Sequence, residues 1–275
     1  MPPFAAAAAK HHLFDNPTIA AFEWNPDTTP LSSLQSLIIT VTTYLSLTFL
    51  LLRLRLRLPP LPAASLRVFS TLHNLCILSV SVMMAVGCSV AVITGLENKR
   101  EVFCFPVGTV RKGPVFFWAY VFYLSKILEF VDTLLIILSG SLRRLSFLHV
   151  YHHATVVIMC YIWLETAQSL FPVALVTNAT VHTVMYSYYL LSGIGIRPRW
   201  KRAVTDCQIA QFVFSFLVSG VMLWYHFGSE AGCSGFKGWC FNAVFNASLL
   251  YLFLDFHSKN YKAEQGRRHM RKKDD

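Results

Sequence analysis

Seven stretches of this chain are mostly apolar, and each is long enough to cross a bilayer. A helix spanning roughly 30 Å of hydrocarbon needs about 20 such residues. In that medium every backbone N–H and C=O must be satisfied within the protein, which leaves helices as the solution for runs of this kind. The runs are Leu34–Leu52, Val68–Gly95, Pro114–Leu138, Phe147–Leu164, Phe171–Ile194, Thr205–Phe227 and Lys237–His257. They predict an all-α polytopic membrane protein: a single domain with seven transmembrane helices bundled over residues 34–257, a non-cytosolic segment 1–33 and a basic cytosolic tail 258–275. The 275 residues are 55% hydrophobic and 14% charged, with a mean hydropathy of +0.49, which excludes an ordinary soluble domain. The N-terminal stretch through Pro30 is too polar for a signal-peptide core, so the first span is expected to stay as an anchor.

Lys and Arg orient the bundle. One side collects Arg53, Arg55, Arg57 and Arg67, then Arg143 and Arg144, then Arg197, Arg199, Lys201 and Arg202, then the tail. The other holds Lys10, Lys99, Arg100, Arg111, Lys112 and Lys237. The richer side is expected to be cytosolic, with the N-terminus opposite, and the loop carrying Lys99 to Lys112 runs against this bias. The IRPRWKR cluster is placed to hold the phosphates of an anionic carrier. Nothing resembles a nucleic-acid recognition module. Lys272 and Lys273, in the terminal KKDD, resemble a dilysine address for retrieval to the endoplasmic reticulum.

Of seven cysteines, Cys76, Cys88, Cys160 and Cys207 fall inside spans as small packing residues. Cys104, Cys233 and Cys240 fall on the non-cytosolic side, where a disulfide persists, and Cys104 can pair with either of the others. The sequons at Asn178 and Asn246 lie inside spans and read as chance matches.

Ionisable groups in hydrocarbon are costly and mark cavities or partners. FLHVYHH places His149, His152 and His153 at i, i+3 and i+4. YLSKILEFVDT gathers Lys126, Glu129, Asp132 and Thr133 within about 120° of one helix. Asn178, His182, Tyr186 and Tyr189 recur along the fifth span, and Gln208 and Gln211 share a face of the sixth. At a rise of about 1.5 Å per residue, Glu129 and Asp132 lie roughly 9–14 Å from the cytosolic ends, His182 about 18 Å and the histidine triplet about 3–9 Å. The stripes therefore fall in one band in the cytosolic half.

Two other chemistries compete for these residues. Imidazoles at i, i+4 can bind a metal, as in the histidine boxes of di-iron desaturases and hydroxylases, but only His73, His149, His152, His153 and His182 are well placed and no second HxxHH occurs. A seven-span lipid or ion transporter could use a Lys, Glu, Asp and His proton relay, yet no internal repeat is present.

LHVYHHATV, KILEFVDT, NATVHTVMYSYY and TDCQIAQF resemble the four signature blocks of the ELO family of fatty acid elongases, in order and spacing, and the resemblance extends from about Phe69 to Tyr261. One departure is LFLDFHSKNY, where Phe256-His257 stands for the family's aromatic pair. The resemblance implies condensation of an acyl-CoA with malonyl-CoA to a 3-ketoacyl-CoA, with no tightly bound cofactor and no metal. By carry-over from HxxHH, His152 is the nucleophile that takes the acyl group, with His149 and His153 orienting it. The resemblance also brings His182 to the site, where it is expected to assist decarboxylation or stabilise the enolate oxygen; by residue type, Lys126 is expected to neutralise charge on a thioester or carboxylate, and Glu129 and Asp132 to fix histidine tautomers. Asn178, Tyr186, Tyr189, Gln208 and Gln211 are expected to contact substrate, and Arg197, Arg199, Lys201 and Arg202 the CoA phosphates. The acyl chain is expected in an apolar tunnel whose length sets product length. Expected partners are the bilayer, a ketoacyl-CoA reductase, a hydroxyacyl-CoA dehydratase, an enoyl-CoA reductase and a second copy of the chain.

Overall fold

A chain with no water to satisfy its backbone closes its hydrogen bonds locally, and all seven apolar runs are helical. The computed structural model describes residues 16–57 and 62–274, with side chains to residue 259. A short helix α1 (Pro17–Ala20) precedes α2 (Leu34–Arg55), α3 (Ala63–Gly95), α4 (Pro114–Leu128), α5 (Phe130–Leu138), α6 (Phe147–Glu165), α7 (Phe171–Gly193), α8 (Lys201–Phe227) and α9 (Phe236–Asp274). Ser33 and Ser146 cap α2 and α6, their hydroxyls accepting from the backbone N–H of Ser36 and His149.

Among the described residues, five helices are long and apolar enough to cross a membrane: α2, α3, α6, α8 and the Phe236–Lys259 part of α9. The other two expected spans differ for a physical reason. Pro114–Leu138 is not one helix, because at Glu129 the backbone bonding changes. The Glu129 N–H still donates to Ser125, 2.9 Å away, whereas Asp132 N–H donates three residues back to Glu129, at 3.0 Å. The break falls in the middle of the polar stripe. Helix α7 is unbroken over 23 residues, but Asn178, His182 and its tyrosines hold its hydropathy below that of the five. Helix α9 continues into the expected tail, to Asp274. Its Ala, Glu, Gln, Lys and Arg residues favour helix, and no proline stops it.

Six elements close a ring in the order α3, α4, α6, α9, α8, α7 and back to α3, while α2 lies outside it against α5 and α6. The α3–α4 contact depends on a glycine. A Cβ at Gly87 would sit 2.1 Å from the ring of Trp118, so the bare backbone admits the indole, as small residues do at membrane helix interfaces. Leu34, Ile38, Phe49, Phe69, Leu217 and Trp224 point outward and are well exposed, the arrangement a lipid-facing surface requires.

One end of the ring is sealed. Cys104 pairs with Cys233, settling the open choice against Cys240, which is a free, exposed thiol. Ser169 Oγ donates to the Ser234 carbonyl at 2.9 Å and accepts the Phe105 N–H at 3.0 Å. Trp24, nearly fully buried, donates its indole N–H to Glu165 at 3.0 Å. Three of the cations that ran against the orientation bias are engaged here: Arg111 pairs with Glu165 and Lys112 with Glu23, each at 3.0 Å, and Arg100 lies over the Tyr225 ring.

Gly87→Ala is expected to cost about 1–3 kcal/mol by overpacking against Trp118. Thermal unfolding in detergent checks this, and Gly87→Ala combined with Trp118→Phe should recover part of the loss.

Candidate active site

The break at Glu129 turns two carboxylates toward two neighbouring clusters. Glu129 and Lys126 are both about 1% exposed, and Lys126 Nζ donates to Glu129 Oε1 at 2.7 Å. His182 on α7 brings its Nδ1 to 3.2 Å from the same oxygen and 3.4 Å from Lys126 Nζ. Unpaired, either charge would be ruinously costly in hydrocarbon; paired and further bonded, they are tolerated. Lys126 also lies over the Phe122 ring, 4.4 Å from its centroid.

One turn on, Asp132 Oδ1 meets His73 Nε2 of α3 at 3.0 Å, and its Oδ2 accepts from Tyr186 OH of α7 at 2.5 Å. A third chain runs from Tyr44 OH on α2 to Thr133 Oγ1 at 3.0 Å and on to His149 Nε2 at 2.8 Å. Helix α2, although outside the ring, thereby reaches the histidine triplet.

The three histidines of α6 take different surroundings. His149 and His153 stack tilted with centroids 4.4 Å apart, and the His153 and His152 rings are 5.4 Å apart. His149 is committed to Thr133 and His153 is buried. His152 instead lines a cavity bounded by α6, α7, α8 and α9, with Phe122 of α4. Its Nδ1 is buried and has no hydrogen-bond partner among the described residues. From His152 to Trp163, at the far part of the α6 wall, the cavity extends about 16 Å.

Among the expected substrate contacts, Asn178 and Gln211 line this cavity, with Asn178 Nδ2 donating to Gln211 Oε1 at 3.4 Å. Gln208 does not line it: its amide donates to Met185 Sδ at 3.3 Å. Tyr186 is held by Asp132 instead, and Tyr189, 42% exposed, packs on the Tyr186 ring. Arg197, Arg199, Lys201 and Arg202 are exposed at the end of the ring opposite the disulfide, Arg202 lying 3.7 Å from Asp206. His257 also reaches Asp206, at 3.0 Å. The side chains of Lys272 and Lys273 lie outside the described residues. Among the described residues no three His, Cys, Asp or Glu side chains converge as a metal would require.

Sequence reasoning noted His73 but gave it no task, and missed Tyr44, Asn242 and Asn246. Asn242 and Asn246 both line the cavity; at i, i+4 in an apolar run they carried the signal of a shared polar face, which the sequon reading of Asn246 obscured.

The ELO: GNS1/SUR4 family model matches residues 29–269. The chain belongs to the ELO family. Fatty acid elongase A of Dictyostelium discoideum is 31% identical over 255 residues, 89% of this chain and 90% of that protein. Very long chain fatty acid elongase 2 of Mus musculus is 30% identical over 227 residues, 78% and 72% of the two chains. The ELO match spans every helix that contributes to the buried clusters and to the cavity, so the geometry above belongs to the matched region.

Lys126→Met leaves Glu129 buried without its partner, and is expected to destabilise this ELO protein by about 3–5 kcal/mol. Lys126→Met with Glu129→Gln should restore most of that stability, as a double-mutant cycle of thermal unfolding would read out.

Proposed function

We propose that the protein is a fatty acid elongase that condenses an acyl-CoA with malonyl-CoA, through an acyl-imidazole on His152. The observation that carries this reading is the placement of His152: it lies at one end of a long, mainly apolar cavity, on a helix packed against the one that holds the Lys126–Glu129 pair. Membership of the ELO family and the names of the relatives support elongation as the process.

In the first half-reaction an imidazole nitrogen of His152 attacks the thioester carbonyl, the C–S bond breaks, and CoA leaves as thiolate and takes up a proton. In the second, malonyl-CoA loses CO2 and the released electron pair forms an enolate on the remaining thioester. Its α-carbon attacks the acyl-imidazole, the C–N bond breaks with its electrons returning to His152, and a 3-ketoacyl-CoA two carbons longer departs. Lys126 and His182 form the electropositive pole that stabilises the enolate oxygen. Glu129 holds that pole in register, and Asp132 holds His73 and Tyr186. His149 and His153 keep the α6 turn packed so that His152 projects into the cavity.

This reading takes α4–α5 and α7 as crossings too, giving seven, with the basic end cytosolic and its arginines at the CoA phosphates. It also takes the membrane to be that of the endoplasmic reticulum and the neighbours in the cycle to be the reductases and dehydratase that process a 3-ketoacyl-CoA.

Incubation of the purified protein with radiolabelled acyl-CoA, without malonyl-CoA, should leave label covalently bound, and His152→Ala should abolish it; full labelling of that variant would refute the nucleophile. Val218 lines the far part of the cavity. Val218→Ala should shift products toward chains two carbons longer, read by mass spectrometry, and an unchanged profile would count against the cavity as a measure of length.

A further inference from the structure

The cavity that His152 lines is not fully enclosed, and its open side can be located from the residues around it. The lining residues of α4, α6 and α9 are all buried except His152 itself. Those of α7 and α8 differ. Thr177 and Asn178 of α7 are partly exposed, as are Gln211 and Ser215 of α8, and Phe214 is 45% exposed. Gln211, Phe214 and Val218 recur at i, i+3 and i+7, which makes one stripe of α8. The Gln211 end of that stripe meets Asn178 of α7, and the Val218 end packs with Leu170 and Val173. Phe214 therefore stands at the seam between α7 and α8. It is the middle residue of α8 (Lys201–Phe227), and its neighbours Val213 and Leu217 are exposed apolar side chains. On a membrane-spanning helix that is where hydrocarbon reaches the seam from outside.

Neither end of the cavity offers an equivalent way in. Toward the basic end, Ile77, Met185, Tyr186 and Val204 form a packed cluster, and none of them lines the cavity. At the other end Leu170 and Val218 pack with Met222 and the paired Cys104 and Cys233. The seam is held more lightly. Among the described residues its side-chain hydrogen bonds are Asn178 Nδ2 to Gln211 Oε1 at 3.4 Å and Gln208 Nε2 to Met185 Sδ at 3.3 Å, the second to a thioether, which is a weak acceptor. A long alkyl tail that entered through an aqueous end would first have to leave hydrocarbon for water, whereas one that moves sideways stays in an apolar medium. We infer that the α7–α8 seam is a lateral portal, which parts at Phe214 to admit an acyl chain from the bilayer while the CoA head stays at the basic end. This inference rests on the elongase reading above and supplies the path by which its substrate reaches the site.

The experiment closes the seam before or after the chain is inside. The accessible free thiols are first removed as Cys76→Ala, Cys207→Ala and Cys240→Ala; Cys88 and Cys160 are buried, and Cys104 and Cys233 are paired. Thr177→Cys and Phe214→Cys are then introduced together and joined with a short bis-maleimide in lipid nanodiscs. Joining before addition of labelled palmitoyl-CoA should slow covalent labelling about tenfold, as shutting an entrance does, and each single-cysteine variant treated alike should label as before treatment. Joining after loading should leave the bound acyl group able to condense once with added malonyl-CoA, read after denaturing quench. Phe214→Trp puts a larger ring in the same place without any cross-link, and should slow labelling about threefold. Undiminished labelling of the joined protein, equal loss in both orders of addition, or an unchanged rate in Phe214→Trp overturns the portal and leaves the elongase reading standing. Absence of label on the untreated protein overturns both.

Discussion

Two charges share a space that water does not reach, and the bundle is arranged around keeping them together. Lys126 and Glu129 form a 2.7 Å pair on one helix segment, and His182 from α7 completes the contact at 3.2 Å from Glu129. Moving α7 away from α4 would take His182 from the pair, and a buried ion pair left short of hydrogen bonds in a low-dielectric interior is destabilising. The same logic ties α3, α5 and α7 through His73, Asp132 and Tyr186, and α2, α5 and α6 through Tyr44, Thr133 and His149. Helix packing in a bilayer has no hydrophobic drive between helices, so directional polar contacts of this kind do much to set the register.

That register has a chemical consequence. His149 is occupied by Thr133, and His153 packs between its two neighbours, which leaves His152 as the member of the triplet facing the cavity. The polar band and the cavity meet on α6, with Phe122 of α4 contributing to both, since it underlies Lys126 and lines the cavity. On the proposed reading, the groups that lock the helices would also supply the charge that a condensation needs.

Much of this was legible in the residue order. The apolar runs located every long helix, and helical periodicity placed Glu129, His182 and the triplet in one band, where the structure finds Glu129 and His182 in direct contact. Three features escaped for physical reasons. The interruption at Glu129 leaves no proline or glycine signature, because it arises from a change of backbone partner inside an otherwise apolar helix. The ring order of six helices depends on contacts such as Gly87 against Trp118, which sequence spacing cannot pair. Gln208 and Gln211 share a helical face by period, yet Gln208 turns to Met185 while Gln211 reaches the cavity; a difference of one turn decided their surroundings. The disulfide partner of Cys104 was open between two candidates, and the loop connecting α8 to α9, which delivers Cys233, resolved it.

The central claim is that an acyl chain lies within the ring, its carbonyl at His152 and its tail toward Trp163. An experimental structure of the protein with a non-hydrolysable thioether analogue of acyl-CoA tests it most directly. The account predicts alkyl density between α6, α7, α8 and α9, with the carbon that replaces the thioester carbonyl in contact with the His152 ring. Density running along the outside of the ring, with the cavity empty and His152 untouched, would contradict it.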